Sequence, residues 1–412
     1  MIRVDEALDR VLAAAAEAGP LPVETIGLSE ATGRILRETI VADRDMPPFT
    51  RSAMDGYALR AADTARAPAT LEVIEEIPAG HVPRRRVGSG QASRIMTGAA
   101  LPEGAVAVQM VEETERGDGG HVRVLKTVAP GEHVRRAGED LSRGSLLIES
   151  GASLGPARIG LLASAGHARV RVSRRPRVAI LPTGDELVRV DQVPGPAQIR
   201  ESNGHVLESL VRLTGGEPDL DEAARDTVED LREKIGRALE RCDALLLSGG
   251  VSMGDYDLVG GVLNDLGCRP AFDRVAIQPG KPLFFGTWER KGGATVLVFG
   301  LPGNPVSTFV DFVVFARPAL RRLMGATEWL DPQLCARLAE PIARRPGRRA
   351  YLPGTLSGRD GEPTVTLLPS MGSADMVALA RADALAIIPE EAERLERGVK
   401  VRVLPLAVLT RR

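Results

Sequence analysis

Apolar residues near the start of the chain recur at helical spacing. Val4, Leu8, Val11 and Ala15 fall on one face of a helix that Gly19-Pro20 should end. A second amphipathic segment covers residues 157–165, with Pro156 in its first turn. Between about residues 40 and 175 short β-like runs dominate, punctuated by Gly and Pro, and this pattern is typical of β-structure. The clearest of these runs cover residues 71–77, 106–112 and 122–128.

From residue 176 onward, strand-like and helix-like patterns alternate. The predicted strands cover residues 177–181, 243–247 and 295–299. The predicted helices cover residues 203–213, a segment starting at Thr227, a segment ending at Leu266, and residues 305–323. The second strand is apolar after its first residue, as a sheet buried on both faces requires. Alternation of this kind predicts a parallel sheet, which binds ligands beyond the carboxyl ends of its strands.

Residues 332–412 return to short β runs, at 365–368, 384–388 and 401–408, and predict a small separate β domain. The whole chain is therefore expected to be a multidomain protein of α/β and β structure.

Each predicted strand of the α/β segment is followed by a polar, glycine-rich loop. The residues of these loops with candidate binding roles are Thr183, Gly184, Gly249, Gly250, Ser252, Pro302, Gly303, Asn304, Pro305 and Ser307. Glycine allows a backbone to approach phosphate closely, and a helix N-terminus offers free N–H donors. A single Gly-Gly pair after a strand is more often an ordinary turn. Three such loops at one edge of a sheet favour a nucleotide or polyanion cradle instead.

Acidic residues accompany these loops. Glu186 follows the first strand and Asp257 follows the Gly249-Gly250 loop, whereas Asp226 is equally well explained as a turn or capping residue. Carboxylates beside a phosphate cradle repel the substrate unless a cation bridges them, and Mg²⁺ is the expected bridge. Lys281 adds a positive charge on the same side.

Composition narrows the possible functions. The formal net charge of -2 provides no global field that favours nucleic acid or an anionic membrane. Only 3% of the residues are aromatic, so Ala, Val, Leu and Ile must fill the cores. The 3 cysteines form no C-x-x-C pair, and no apolar stretch is long enough to span a bilayer. With no signal-peptide pattern at the start, the chain is expected to be cytoplasmic.

Five short sequence motifs, taken together, resemble those of the molybdopterin molybdenumtransferase family, called MoeA in bacteria and represented by the E domain of gephyrin in animals. They lie at residues 52–58, 94–99, 249–254, 279–282 and 300–307. The resemblance implies a three-layer, molybdopterin-binding α/β domain with a parallel-rich sheet, an N-terminal helical and mixed domain with an inserted β domain, and a C-terminal small β domain. The implied boundaries are 1–42 with 140–175, 43–139, 176–326 and 327–412.

The resemblance also implies a reaction in which molybdate is inserted into adenylyl-molybdopterin with Mg²⁺ as cofactor, releasing AMP and the molybdenum cofactor. The implied catalytic residues are Asp55, Asp140, Asp226 and Lys281, with Glu186 and Asp257 as metal ligands and Thr97, Gln278, Pro302 and Pro305 as further substrate contacts. Family members are homodimers that share an active site, in which Asp55, Thr97 and Asp140 come from the partner subunit. Contact with the upstream adenylyltransferase is a further expectation.

Three positions depart from the family's pattern. Gln278 stands where many members have Lys, and this removes one cation unless Lys281 and Arg274 compensate. Gln278 either contacts the oxyanion directly or only lines the loop. Pro182 replaces a common Ser or Thr, and Val106 replaces a common acid.

Three rival functions are less favoured. The upstream adenylyltransferase is usually a short single domain with a Gly-Gly-Thr-Gly loop, whereas this chain has Gly249-Gly250-Val251-Ser252. A scaffolding protein is disfavoured because no long disordered linker is present. A protein that only binds and carries the cofactor would be distinguished from the enzyme by its failure to release AMP.

Overall fold

The computed structural model describes residues 1–250, 258–358, 362–369 and 372–406. The chain forms two compact units. The larger comprises Met1–Glu38, Ser150–Ile159 and Ala168–Arg412, and the smaller comprises Thr39–Glu149 and Gly160–His167. None of the helices in the described ranges combines the length and the apolar character that a membrane crossing needs.

A six-stranded sheet forms the centre of the larger unit. Its strands, numbered β1 to β6 along the chain, are Arg177–Pro182, Glu217–Leu220, Ala244–Ser248, Arg269–Arg274, Pro282–Glu289 and Thr295–Leu301. Their order across the sheet is β2-β1-β3-β6-β5-β4. The first four strands in this order run parallel, and three of them, β1, β3 and β6, were predicted from the alternating pattern. The other two strands, β5 and β4, are antiparallel to their neighbours. Three strands, β2, β4 and β5, were not predicted, because Pro218, Pro270, Pro282 and Gly286 interrupt their patterns.

Helices cover both faces of this sheet. They are Val4–Glu17, Asn203–Thr214, Val228–Arg241, Leu258–Asp265 and a continuous helix made of Pro305–Asp311, the π-helical turn Phe312–Ala316 and Arg317–Leu323. Alternate residues of β1 enter different cores: Ile180 packs on one face, and Ala179 on the other. Every residue of β3 is buried. The three-layer α/β arrangement is therefore confirmed.

Local signals in the sequence account for the helix ends. The Thr227 hydroxyl accepts a hydrogen bond from the backbone N–H of Asp230 at 3.3 Å, which caps the helix Val228–Arg241 as predicted. Gly215 ends the preceding helix with a φ of 98°. The N-terminal helix Val4–Glu17 is also confirmed, and its apolar face enters one of the two cores of the central sheet.

The C-terminal segment forms a closed β structure. Its strands are Leu334–Leu338, Arg349–Ser357, Thr364–Leu367, Ala384–Ile388 and Lys400–Pro405, with the short helix Met376–Ala380. Pairing of the second strand with the fourth closes the ring. A two-residue strand from the α/β segment, Ile277–Gln278, adds in parallel beside Arg349 and Ala350. The predicted small β domain is confirmed, and one strand reaches it from outside.

Several two-stranded pairings lie outside the six-stranded sheets, in the larger unit and in the smaller unit. In the larger unit, Val23–Gly27 pairs with Arg169–Ser173, Leu187–Val188 with Ile199–Arg200, and Ile342–Ala343 with Arg394–Leu395. In the smaller unit, Ile40–Val41 pairs with Leu146–Ile148. The helix Pro156–Ser164 begins with the proline that the sequence placed in its first turn.

The smaller unit is built on its own six-stranded sheet. In order across the sheet, the strands are Ala107–Met110, Gly56–Leu59, Gln91–Ile95, Ala69–Ile77, His121–Val124 and Thr114–Arg116. The two-residue strands Arg51–Ser52 and Val134–Arg135 pair beside it. The short β runs expected between about residues 40 and 175 are confirmed. The domain boundaries at 42, 139, 175 and 326 remain predictions.

Candidate functional site

The three glycine-rich loops of the α/β segment meet at one edge of the central sheet. The backbone N–H of Thr183 donates to the carbonyl of Ser248 at 2.8 Å, and that of Gly249 donates to the carbonyl of Leu301 at 3.1 Å. Gly303 lies against Gly249. Parallel strands bring their carboxyl ends to the same edge, so the convergence follows from the topology.

Close packing of these loops requires glycine at two positions. A Cβ on Gly249 would lie 2.5 Å from the carbonyl oxygen of Thr183, and one on Gly250 would lie 2.6 Å from a methyl of Val259. Both glycines also have positive φ, at 97° and 65°. Side chains are excluded here because of space and because of backbone conformation.

Two buried oxygens beneath these loops have no hydrogen-bond partner among the residues that the structure describes. They are Oγ1 of Thr183 and Oδ1 of Asn203. The Asn203 amide donates to Oγ of Ser248 and to the carbonyl of Gly303, both at 2.8 Å, and so joins two of the loops. The sequence analysis missed Asn203; its only signal was a polar residue at the start of an apolar helical run. Unpaired buried oxygens at this edge suit a ligand that supplies donors or ordered water.

The acidic residues lie around the first loop. The Glu186 carboxylate folds over Gly184, where a Cβ would come within 2.6 Å of its Oε2. The backbone N–H of Asp226 donates to Oδ1 of Asp185 at 3.2 Å. Glu186, Asp185 and Asp226 are all exposed. Within the described ranges, no three Asp, Glu, His or Cys side chains are arranged to hold a metal ion.

Two predicted site residues cannot be placed. Ser252 and Asp257 lie outside the described residues.

A cavity of about 570 Å³ adjoins the third loop. Predicted site residues that line it are Gln278, Lys281, Pro302, Asn304 and Ser307. Residues that sequence reasoning missed, among them Arg348, Tyr351 and Ser373, line the side formed by the C-terminal β segment. Pro305 begins the long helix, and the N–H of Val306 donates to the carbonyl of Ser373 at 3.0 Å. The cavity thus lies between the α/β segment and the C-terminal β segment of the larger unit.

Positive charge at this cavity is not neutralised by neighbouring acids. In the described part of the chain, neither Lys281 nor Arg348 forms an ion pair with a carboxylate. Sequence reasoning named Arg274 as a compensating cation, but Arg274 pairs with Asp273 at 3.8 Å. The guanidinium that reaches Gln278 belongs to Arg344, at 3.1 Å. An uncompensated cationic cavity is suited to an anion.

Three predicted site residues lie on the smaller unit. Oδ1 of Asp55 accepts hydrogen bonds from the backbone N–H of Thr97 at 2.6 Å and from its hydroxyl at 2.8 Å. These two bonds lower the pKa of Asp55 below its ordinary value, so that it is ionised at neutral pH. Asp140 forms an ion pair with Arg135. Thr97 and Asp55 are therefore brought together, and Asp140 is held by a neighbouring cation.

Family models match three successive parts of the chain. The MoeA N-terminal region (domain I and II) matches residues 2–166, a probable molybdopterin binding domain matches 179–322, and the MoeA C-terminal region (domain IV) matches 335–406.

Whole-length relatives agree with these matches. The chain is 38% identical over 391 residues to a molybdopterin molybdenumtransferase of Nostoc sp., covering 93% of this chain and 89% of that protein. It is 36% identical to molybdopterin molybdenumtransferase 2 of Mycobacterium tuberculosis, covering 93% and 95%. The molybdopterin biosynthesis moeA protein of Pyrococcus horikoshii has a similar crystal structure, with a TM-score of 0.82, 32% identity and coverage of 98% and 100%. The chain therefore belongs to the MoeA family of molybdopterin molybdenumtransferases.

Proposed function

We propose that this chain catalyses the Mg²⁺-dependent insertion of molybdate into adenylyl-molybdopterin, with release of AMP. The observation that carries the proposal is the adjacency of two anion-binding features, the glycine cradle at the sheet edge and the cationic cavity. The loop at residues 300–307 takes part in both, since Gly303 lies against Gly249 and Ser307 lines the cavity. Two anionic reactants can thus be held side by side.

Each feature suits one reactant. The cradle of Gly249, Gly250 and Thr183 offers close backbone approach and a buried hydroxyl, which favour the phosphates of the adenylylated pterin. The cavity offers Lys281, Arg348 and the buried hydroxyl of Ser307 to the molybdate dianion. Fixed positive groups offset the repulsion between the two anions and retain that effect as charge shifts to the leaving AMP.

The acidic residues fit a hard divalent cation. Glu186 provides exposed carboxylate oxygens above Gly184, and Mg²⁺ characteristically takes one or two carboxylates together with substrate phosphate and water. Glu186 and Asp257 would hold the ion. When bound, it would act as a Lewis acid on the phosphoanhydride and stabilise the AMP leaving group.

The remaining acids supply proton transfer. An oxygen nucleophile, either water or molybdate, attacks the phosphorus on the pterin side of the phosphoanhydride, and the P–O bond to AMP breaks. The two dithiolene sulfurs bond to the molybdenum of molybdate, and the oxide that they displace leaves as water with the two thiol protons. Asp140 or Asp226 orients the nucleophile and, when the nucleophile is water, accepts its proton as the general base, since the molybdate dianion has no proton to lose. Asp55, with Thr97 fixing its carboxylate, completes the site from the partner subunit of a homodimer. Delivery of the substrate by direct contact with the upstream adenylyltransferase is part of the same proposal.

Release of AMP is the decisive measurement. Purified protein is incubated with adenylyl-molybdopterin, molybdate and Mg²⁺, and AMP is quantified by chromatography. We expect release that requires all three and is abolished in Asp257→Ala, with circular dichroism verifying the fold of the variant. Binding of the adenylylated pterin without AMP release would make the chain a carrier. Wild-type rates in folded Asp257→Ala would remove Asp257 from the site.

A further inference from the structure

Gln278 lies where two segments of the larger unit are joined by backbone hydrogen bonds. The strand Ile277–Gln278 pairs in parallel with the first residues of Arg349–Ser357, and the N–H of Arg349 donates to the carbonyl of Ala276 at 2.8 Å. Gln278 is half-buried and lines the cationic cavity. Its backbone is therefore fixed, and its side chain has a defined set of neighbours.

Arg344 is held behind Gln278 by three acceptors. Its Nη2 donates to Oε1 of Gln278 at 3.1 Å and to the carbonyl of Arg348, and its Nη1 donates to the carbonyl of Pro389 at 3.0 Å. Burial and the nearby charge of Arg348 both lower the pKa of Arg344. Within the described ranges no carboxylate pairs with Arg344, so its charge is directed only to neutral oxygens.

The chemistry of the two groups fixes the orientation of the amide. A guanidinium only donates hydrogen bonds, so the oxygen of the Gln278 side chain must face Arg344. The amino group, with its two N–H donors, then has no hydrogen-bond partner among the described residues. Because Gln278 also lines the cavity, those donors are available to an anion bound there. Without Arg344 the amide is free to rotate and present its oxygen, which repels an anion.

We propose that Gln278 donates hydrogen bonds to the oxyanion in this cavity, and that Arg344 is the positioning residue that holds its amide in the donor orientation. The inference rests on the proposed function, because it takes the cavity to be the molybdate site. In this arrangement the neutral amide of Gln278 contacts the anion, and the positively charged Arg344 lies behind that amide. Arg344 then acts through Gln278.

A double-mutant cycle with molybdate as the probe tests this arrangement. Molybdate is titrated calorimetrically into the full-length chain and into Gln278→Met, Arg344→Met and the double variant. A hydrogen bond to a charged group corresponds to about a tenfold change in affinity, so each single variant should bind about tenfold more weakly. The double variant should be no weaker than either single variant, because Arg344 has no effect once the amide is gone.

Matched variants separate the inference from its alternatives. Arg345→Met removes the adjacent exposed arginine and should stay within about twofold of wild type, whereas Arg344→Lys retains a cationic N–H donor and should recover most of the affinity. Additive losses in the double variant, about a hundredfold in all, or no loss in folded Arg344→Met, would overturn the inference. Lys281→Met tests the cavity itself: if it leaves molybdate binding unchanged, the proposed molybdate site fails independently of Arg344.

Discussion

Asp311 is a fully buried acid at the last residue before the π-helical turn of the long helix. Neither of its carboxylate oxygens has a hydrogen-bond partner among the described residues. The carboxyl group lies against Gly280, where a Cβ would come within 2.2 Å of Oδ1. Removal from water raises the pKa of Asp311 well above its ordinary value. Folding therefore favours the protonated acid.

This residue predicts a pH-dependent stability difference. The unfolded pKa of Asp is ~3.9, so the raised folded pKa makes wild-type stability fall, by up to ~1.4 kcal/mol per pH unit, as pH rises from about 4 toward the folded pKa. Asp311→Asn does not titrate, and its melting temperature relative to wild type should increase between pH 5 and pH 8. The exposed Asp9→Asn is the control. A difference that is constant with pH would contradict the assignment.

At the scale of elements, the loop after β3 depends on glycine for contact with the loop after β1. A side chain at Gly249 would meet the carbonyl of Thr183 at 2.5 Å on a backbone with a φ of 97°. In contrast, Gly261 in the helix Leu258–Asp265 is exposed, with nothing within 4 Å of an added Cβ. We therefore expect alanine to have opposite effects on stability at Gly249 and at Gly261.

Alanine at Gly249 tests the geometry of the cradle, whereas alanine at Gly261 tests only helix propensity. Gly249→Ala should lose ~1–3 kcal/mol of stability and most AMP release, because the strained loop must move away from Thr183. Gly261→Ala should gain ~0.5–1 kcal/mol and keep its activity. Thermal unfolding and the AMP assay, run on both variants, check the pair. Full activity in Gly249→Ala would show that the cradle does not need this contact.

At the scale of the whole molecule, the candidate residues are divided between the two compact units. Asp55, Thr97 and Asp140 belong to the smaller unit, and the cradle and cavity belong to the larger. The chain leaves the larger unit after Glu38 and returns to it at Ser150. The family resemblance assigns the residues of the smaller unit to the site of a second subunit, and this assignment remains a prediction.

Mixed dimers test that division directly. Asp55→Ala and Lys281→Ala subunits are each expected to be inactive alone. After exchange, half of the dimers are mixed and each keeps one intact site of two, so activity should recover to about a quarter of wild type. Subunit exchange is verified with differently tagged chains. Exchange without any recovered AMP release would place both residues in one subunit's site.

The sequence by itself determined the kinds of element and the loops that carry chemistry. Helical periodicity predicted Val4–Glu17, and the Thr227 cap and Gly215 marked helix ends, because these signals act between residues a few positions apart. Glycine-rich loops after apolar strands placed the cradle, since parallel strands share one carboxyl edge. The family and the fold class were identified from such strings and are confirmed.

Only the tertiary structure decided which distant residues complete the site. Asn203 joins two loops that are 45 and 100 residues away, and Arg344 reaches Gln278 across 66 residues. No local pattern encodes these contacts. The Asn203 contacts depend on the parallel pairing of β1, β3 and β6, and the Arg344 contact depends on how Ile277–Gln278 adds to the C-terminal sheet. Local propensity and residue spacing determine which segments form helices and strands. Pairing between remote segments determines which residues become neighbours in space, and the cavity is lined by such residues.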